Sequence, residues 1–239
     1  MHSAGSTIAV LGYHKIGQSP DGWESWYYVP PALLDRHVQA LRGDGWVPVD
    51  IELLLAGLDG SCPLPERGFL LTFDDAYKSL LTQCLPWLVK NALPAVVFVP
   101  TGHVGGLNEF DRDVEPEEAI CDWNDLRALR AGGFSIQSHG ASHRAFSDMT
   151  DDELAAEVGC SKDAIESALG DPVELISYPF GDPGRQPAAT ASLLRAAGYK
   201  TAFGYGGGAF RIPCQERYLL PRIAVGPDTD ILLELDVSN

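Results

Sequence analysis

Four short apolar runs in the 239-residue chain end in residues able to do chemistry. His14 follows "IAVLGY", Asp74 and Asp75 follow "FLLTF", His139 follows "FSIQS", and "YPFG" (residues 178–181) follows "ELIS". His139 and His143, within "SHGASH", stand four apart. On a helical turn that spacing puts two imidazoles on one side, a common arrangement for binding one divalent metal. Two histidines and a carboxylate leave metal positions open for water and substrate, as a hydrolytic site requires. Neighbouring strand residues point to opposite faces, so the two acids have separate jobs available: one as metal ligand, the other as general base on water. The plainer alternatives are surface or capping histidines, and an aspartate N-cap with a second acid favouring the dipole of a helix that begins near Ala76.

The elements that must position these residues alternate along the chain. Strand candidates start at Thr7, Gly68, Pro94, Gly133, Glu174, Lys200 and Arg222. Helix candidates start at Pro31, at Ala76 (interrupted by Pro86), at Cys121 with Asp122 as N-cap, at Thr150 with Glu153 completing a capping box, and at Pro187. Repeated strand–helix–strand units predict a mostly parallel sheet, built as an α/β barrel or an open doubly wound sheet. In either fold the C-terminal strand ends converge on one face, where active sites form. The segment from Thr101 to Ile120 reads as one long surface loop. No linker interrupts the chain, which predicts a single domain over residues 1–239.

Composition narrows the function. Hydrophobic residues make up 45% and charged residues 21%, with a formal net charge of −16. Such a surface repels a nucleic-acid backbone and anionic lipid, so neither is expected as a partner. Five scattered cysteines without a C-x-x-C pair argue for a reducing compartment. No stretch approaches transmembrane length, and the N-terminus lacks a basic segment followed by a long apolar run. That favours the cytoplasm slightly, with secretion or the periplasm open if a leader has been removed.

"TFDDAY", then "SHGASH", then "YPFG", together resemble the polysaccharide deacetylase (NodB-homology) family, carbohydrate esterase family four. The resemblance runs from Leu11 to Val225, and its layout is similar to the poly-N-acetylglucosamine deacetylase branch. It implies a distorted (β/α)7-type barrel and metal-dependent removal of N- or O-acetyl groups from a sugar or glycan. It further implies Asp74 as catalytic base, Asp75, His139 and His143 as ligands of one divalent metal, and a backbone N–H near Phe180 as oxyanion donor. Zinc is the expected metal, with cobalt, nickel or iron as alternatives that this ligand set does not separate. Oligomeric state is not readable from the sequence.

The chain departs from the family pattern in three places. Ser177 stands where an arginine is usual, the C-terminal segment lacks the usual acid histidine, and Ala76 replaces a glycine. His14 is the expected replacement acid, with an ordinary buried strand-end histidine as its alternative. Arg222, in "LPRIAV", is the expected partner of Asp74, with a surface cation as its alternative. Tyr178, Phe180 and Trp123 are candidate sugar contacts, since aromatic faces pack well on a pyranose. Two other functions stay open: hydrolysis of another C–N bond, such as a cyclic amide or ureide, and a catalytically inactive carbohydrate-binding homologue.

Overall fold

The computed structural model describes residues 5–214 and 216–235, so both outer ends of the expected 1–239 domain lie outside the described residues. β1 (Ser6–Tyr13) is followed by two short strands, β2 (Lys15–Ile16) and β3 (Tyr28–Val29), which pair with each other in parallel. Next come α1 (Pro31–Gly43), β4 (Val47–Pro48), α2 (Ile51–Leu58) and β5 (Arg67–Phe73). The chain continues through α3 (Leu85–Asn91), β6 (Ala95–Val99), α4 (Trp123–Ala131), β7 (Phe134–Ser138), α5 (Asp151–Leu169) and β8 (Leu175–Ser177). It finishes with α6 (Pro187–Ala196), β9 (Thr201–Phe203), β10 (Phe210–Ile212) and β11 (Ile223–Ala224).

β1, β5, β6, β7, β8 and β9 form successive parallel pairs. β11 closes the sheet: Leu220 bridges in parallel to Phe203 of β9, and Ile223 and Ala224 pair in parallel with Leu11 and Gly12 of β1. Seven parallel strands thus surround one interior. β10 pairs antiparallel with the start of β1, and closure depends on a few pairs only. The fold is a distorted (β/α)7 barrel, as the family resemblance implied.

Strand alternation builds two apolar layers. Ile8, Val10, Leu70, Phe98, Leu175 and Phe203 pack together inside the barrel. Ala9, Leu11, Leu71, Phe73 and Val97 pack outward against α1, α3, α4, α5 and α6. Two residues further along, the interior face changes character: Thr72, Asp74, Ser177 and Arg222 are all buried and polar.

Local signals explain most helix starts. Pro31 opens α1, and Asp122 and Thr150 cap α4 and α5 through reciprocal capping boxes with Asp125 and Glu153. Three expectations need correction, and one helix is unanticipated. The helix predicted from Ala76 does not begin there, because Asp75 and Ala76 are left-handed. One π-helical turn (Leu80–Cys84) instead leads into α3, where Pro86 sits in the first turn and its missing N–H costs nothing. α2 carries no sequence expectation; its N-cap is Asp50, whose side chain accepts the Leu53 N–H at 2.8 Å. His139 and His143 are joined by a loop rather than a helical turn. Finally, residues 101–120 are not merely a surface loop. Leu107 and Tyr77 bridge to Ala119 and Ile120, and the Glu115 carboxylate is buried 2.7 Å from Lys15 Nζ.

A pH effect on stability follows from His37 of α1. Its Nδ1 lies 3.1 Å from the Tyr13 hydroxyl and its Nε2 3.2 Å from the Thr229 carbonyl oxygen. Of the two neutral tautomers, only the Nε2–H form satisfies both, accepting at Nδ1 from the hydroxyl and donating at Nε2 to the carbonyl. Burial pushes the imidazole below its ordinary value of 6.5, against the pull of the Thr229 carbonyl. A His with a lowered folded-state pKa contributes stability above its unfolded value and loses it as pH falls through the folded value. Urea denaturation from pH 7 to pH 5 should therefore show a steeper loss of stability for wild type than for His37→Gln.

Candidate active site

Four backbone positions in the left-handed region shape the site. Among the described residues the non-glycine positive-φ positions are Asp75 (68°), Ala76 (55°), Ala92 (48°), His143 (56°) and Phe180 (58°). Ala92 is the C-cap of α3; Asp75, His143 and Phe180 line one cleft, and Ala76 sits between its lining residues Asp75 and Tyr77. Such conformations cost on the order of 1 kcal/mol or more each and collect where geometry serves function. The turn at Asp75 accounts for the paired acids. Asp74 keeps the inward direction of β5, and the left-handed Asp75 swings its carboxylate toward His139 and His143.

The ligand atoms of Asp75, His139 and His143 all lie within 4.8 Å of one another, and all three residues are buried. Asp75 Oδ1 is 3.2 Å from His143 Nε2 and 3.5 Å from His139 Nε2, yet makes no hydrogen bond. A tetrahedral zinc site with bonds near 2.0–2.1 Å would separate its ligand atoms by about 3.3 Å. His139 Nδ1 donates to the Ser177 carbonyl oxygen at 2.8 Å, which leaves Nε2 facing the cluster with a lone pair. An unpaired buried carboxylate oxygen, an oriented imidazole and a second imidazole form a donor set that fits a divalent cation. Burial pushes His139 down to about 4, so it is a neutral donor at ordinary pH. Burial opposes the charge on Asp75, but His143, His14 and His139 outweigh it and hold the carboxyl well below its usual range. Burial also opposes charge on His143, where Asp75 prevails and raises the imidazole.

Asp74 is held by Arg222, which is completely buried. Nη1 and Nη2 donate to Oδ1 and Oδ2 at 2.8 and 2.7 Å, a two-pronged pair. Nε donates to the Gly204 carbonyl oxygen at 2.8 Å, and Nη1 also reaches Thr72 Oγ1 at 3.1 Å. Burial alone would raise the Asp74 carboxyl; Arg222 foremost, with His139 and His14, holds it below its ordinary value. Ser177, at the family's arginine position, instead places its Oγ 2.6 Å from His139 Nδ1 and 3.4 Å from Asp74 Oδ1.

His14 follows β1 with its Nε2 3.9 Å from Asp74 Oδ2, while Nδ1 is buried without a hydrogen-bond partner. Tyr27 and Tyr205 flank its ring at 4.7 and 5.2 Å between centroids. Burial pushes the imidazole below its ordinary value, against the pull of Asp75 and Asp74.

The structure brings His14, Asp74, Asp75, His139, His143, Tyr178 and Phe180 to the cleft wall, with Arg222 directly behind Asp74. Phe180 is well exposed, its ring 4.8 Å from that of His143. Tyr178 is buried and spends its hydroxyl on the Tyr218 carbonyl oxygen at 2.6 Å, so only its ring is available. Trp123 does not join them. It is the first residue of α4 and packs half-buried on the core. Tyr77, Asp111 and Tyr205 line the cleft unanticipated. Tyr205 was findable, since it ends the β9 run as His14 ends β1. Asp111 was not, because only the fold of residues 101–120 carries it inward. Phe110 beside it stacks on His143 at 4.0 Å.

The sequence profile of the polysaccharide deacetylase family matches residues 62–202, which span both acids and both cluster histidines. The chain belongs to the polysaccharide deacetylase family, whose members are metal-dependent carbohydrate deacetylases. His14 and Arg222 fall outside the matched span. The Bacillus subtilis protein YxkH, named as a polysaccharide deacetylase, is 24% identical over 92% of this chain and 72% of its own length. A poly-β-1,6-N-acetyl-D-glucosamine N-deacetylase of Escherichia coli is 42% identical over 41% of this chain, an alignment that covers 16% of the E. coli protein. Among solved structures, the Streptococcus pyogenes deacetylase PplD superposes with a TM-score of 0.81 at 23% identity, covering 97% of this chain and 98% of that one. IcaB from Ammonifex degensii gives 0.77 at 21% identity, with 97% of each chain covered. These two likenesses establish the fold. Among the described residues no helix is long and apolar enough to cross a membrane.

Removing Arg222 would leave the Asp74 charge buried and unpaired. Arg222→Met should cost about 3–5 kcal/mol in urea unfolding, and adding Asp74→Asn should recover part of that loss.

Proposed function

We propose that the chain hydrolyses the acetamide of an N-acetylated sugar or glycan, with residues 1–239 acting as one catalytic domain. One arrangement carries this reading: a carboxylate clamped by a buried arginine stands beside a second carboxylate grouped with two histidines, at the floor of an aromatic-lined cleft. The N-acetylglucosamine polymer named for the E. coli relative favours an N-acetylated amino sugar over an O-acetyl ester.

Asp75, His139 and His143 would hold the divalent cation, which we take to be zinc. What that site supplies when loaded is Lewis acidity toward the acetyl carbonyl and a lowered pKa for water. Asp74, kept ionised by Arg222, takes a proton from the attacking water, whose oxygen bonds to the acetyl carbon. The backbone N–H of Phe180, aimed by its left-handed conformation, donates to the oxyanion as charge develops. The C–N bond then breaks, acetate departs, and the leaving amine takes a proton from His14. A lowered pKa makes protonated His14 a strong donor, and Tyr27 and Tyr205 fix its ring. The exposed Phe180 ring and Tyr27 offer apolar faces to the sugar.

The test is acetate release from N-acetylglucosamine oligomers with parallel measurement of bound metal. Wild type should carry about one cation per chain and lose turnover with chelator. Asp75→Asn should lose the metal. Asp74→Asn and His14→Ala should each keep the metal and lose on the order of 10²–10⁴ in kcat. Bound metal without acetate release from any acetylated sugar would refute the deacetylase assignment, and near-normal turnover of His14→Ala would refute its role as acid.

A further inference from the structure

α5 carries a buried carboxylate whose partners all belong to the loop between the two cluster histidines. Glu157 Oε1 accepts the Ala141 and Ser142 N–H groups at 2.8 and 2.6 Å and the Ser142 hydroxyl at 3.0 Å. Oε2 also lies 3.0 Å from that hydroxyl. Ser161, four residues further along the same helix face, has its Oγ 2.8 Å from Ser138 Oγ, which accepts the Gly140 N–H at 3.1 Å. From the opposite side, Thr101 and Gly102 N–H donate to the carbonyl oxygens of Gly140 and Ala141 at 3.1 and 2.7 Å. His103 Nε2 lies 3.2 Å from the Ser142 carbonyl oxygen.

Every backbone N–H and C=O of residues 140–142 is therefore engaged, and both inward N–H groups of Ala141 and Ser142 go to one side chain. That saturation matters because the loop delivers His143 in a left-handed conformation, which a free loop would abandon. Gly140 is left-handed as well (φ 74°), and a Cβ there would stand 2.7 Å from Glu157 Oε1. The carboxylate thus occupies the space that the glycine leaves open.

We propose that Glu157 is a positioning residue: its carboxylate holds the 139–143 loop in the conformation that aims His143 at Asp75 and His139. The inference rests on the reading of those three residues as cation ligands. It requires a hydrogen-bond acceptor at position 157 rather than a negative charge. Glutamine preserves an acceptor oxygen of the same reach, whereas alanine removes it and leaves two buried N–H groups unpaired.

The test is Co²⁺ titration of the purified protein, read by competition against a chromophoric chelator and by the visible absorption of the bound ion. Circular dichroism melting is followed in parallel. Glu157→Ala should weaken Co²⁺ roughly ten- to a hundredfold and alter the bands as a ligand is lost, while Glu157→Gln stays within a few fold of wild type. Gly140→Ala, which drives a methyl group against the intact carboxylate, should reproduce the alanine result and serves if Glu157→Ala does not fold. Wild-type Co²⁺ affinity and band shape in Glu157→Ala or Gly140→Ala, whatever their melting temperatures, would overturn the inference while leaving the cation site standing. Failure of wild type itself to bind Co²⁺ would overturn both.

Discussion

The buried pair between Asp74 and Arg222 sets the terms for the rest of the site. A carboxylate at the top of a closed barrel interior would ordinarily take up a proton, since desolvation strongly disfavours its charge. The guanidinium meets it with two parallel bonds, and two of its three remaining N–H donors go to Gly204 and Thr72. The pair is worth little as a source of stability, because desolving two ions consumes most of what their attraction returns. Its value is a fixed, ionised oxygen at a defined place. The interior residues around it follow from that requirement: Gly12 leaves room for the Tyr205 ring over Arg222, and Ser177 brings a hydroxyl where a second cation would crowd the first.

The second organising feature is the placement of strained backbone. Regular strands alternate their side chains, so no strand can put two consecutive carboxylates on one side. The left-handed turn at Asp75 and Ala76 breaks that alternation, and the loops carrying His143 and Phe180 do the same at two neighbouring strand ends. Three strands thus run regularly through the apolar layers and abandon regularity at one level only. The rigid part of the fold pays for the irregular part, which is where the functional side chains gather.

Much of this was legible in the residues. Apolar runs ending in His14, Asp74 and His139 give the strands and the face they share, and Asp122 and Thr150 give two helix starts. What could not be read is what depends on distant contacts. The chain around Ala76 carries helical periodicity, yet its first residues obey the demands of the Asp75 turn, and the helix is delayed to Leu85. Asp111 looks like one more acid in an acidic loop; the bridge from Leu107 to Ala119 and the Lys15–Glu115 pair bring it to the cleft. The four-residue spacing of His139 and His143 correctly joined them through the wrong conformation, since i and i+4 also meet when left-handed residues curl a loop back on itself. Trp123 is the opposite case: an aromatic residue beside a functional loop, readable as a sugar contact or as core, that packs half-buried on the core.

The way the barrel closes has a consequence for how the protein comes to exist. The strand that carries Arg222 is the last of the seven, and it inserts beside the first, joining β9 to β1. Until that happens, the Asp74 carboxylate has no counter-charge and the interior around it has no reason to exclude water. The counter-charge of Asp74 therefore comes from 148 residues further along the chain, across the seam between β9 and β1. The ligand cluster draws on residues 75 to 143 in the middle of the chain, whereas the clamped acid depends on the closing seam of the barrel.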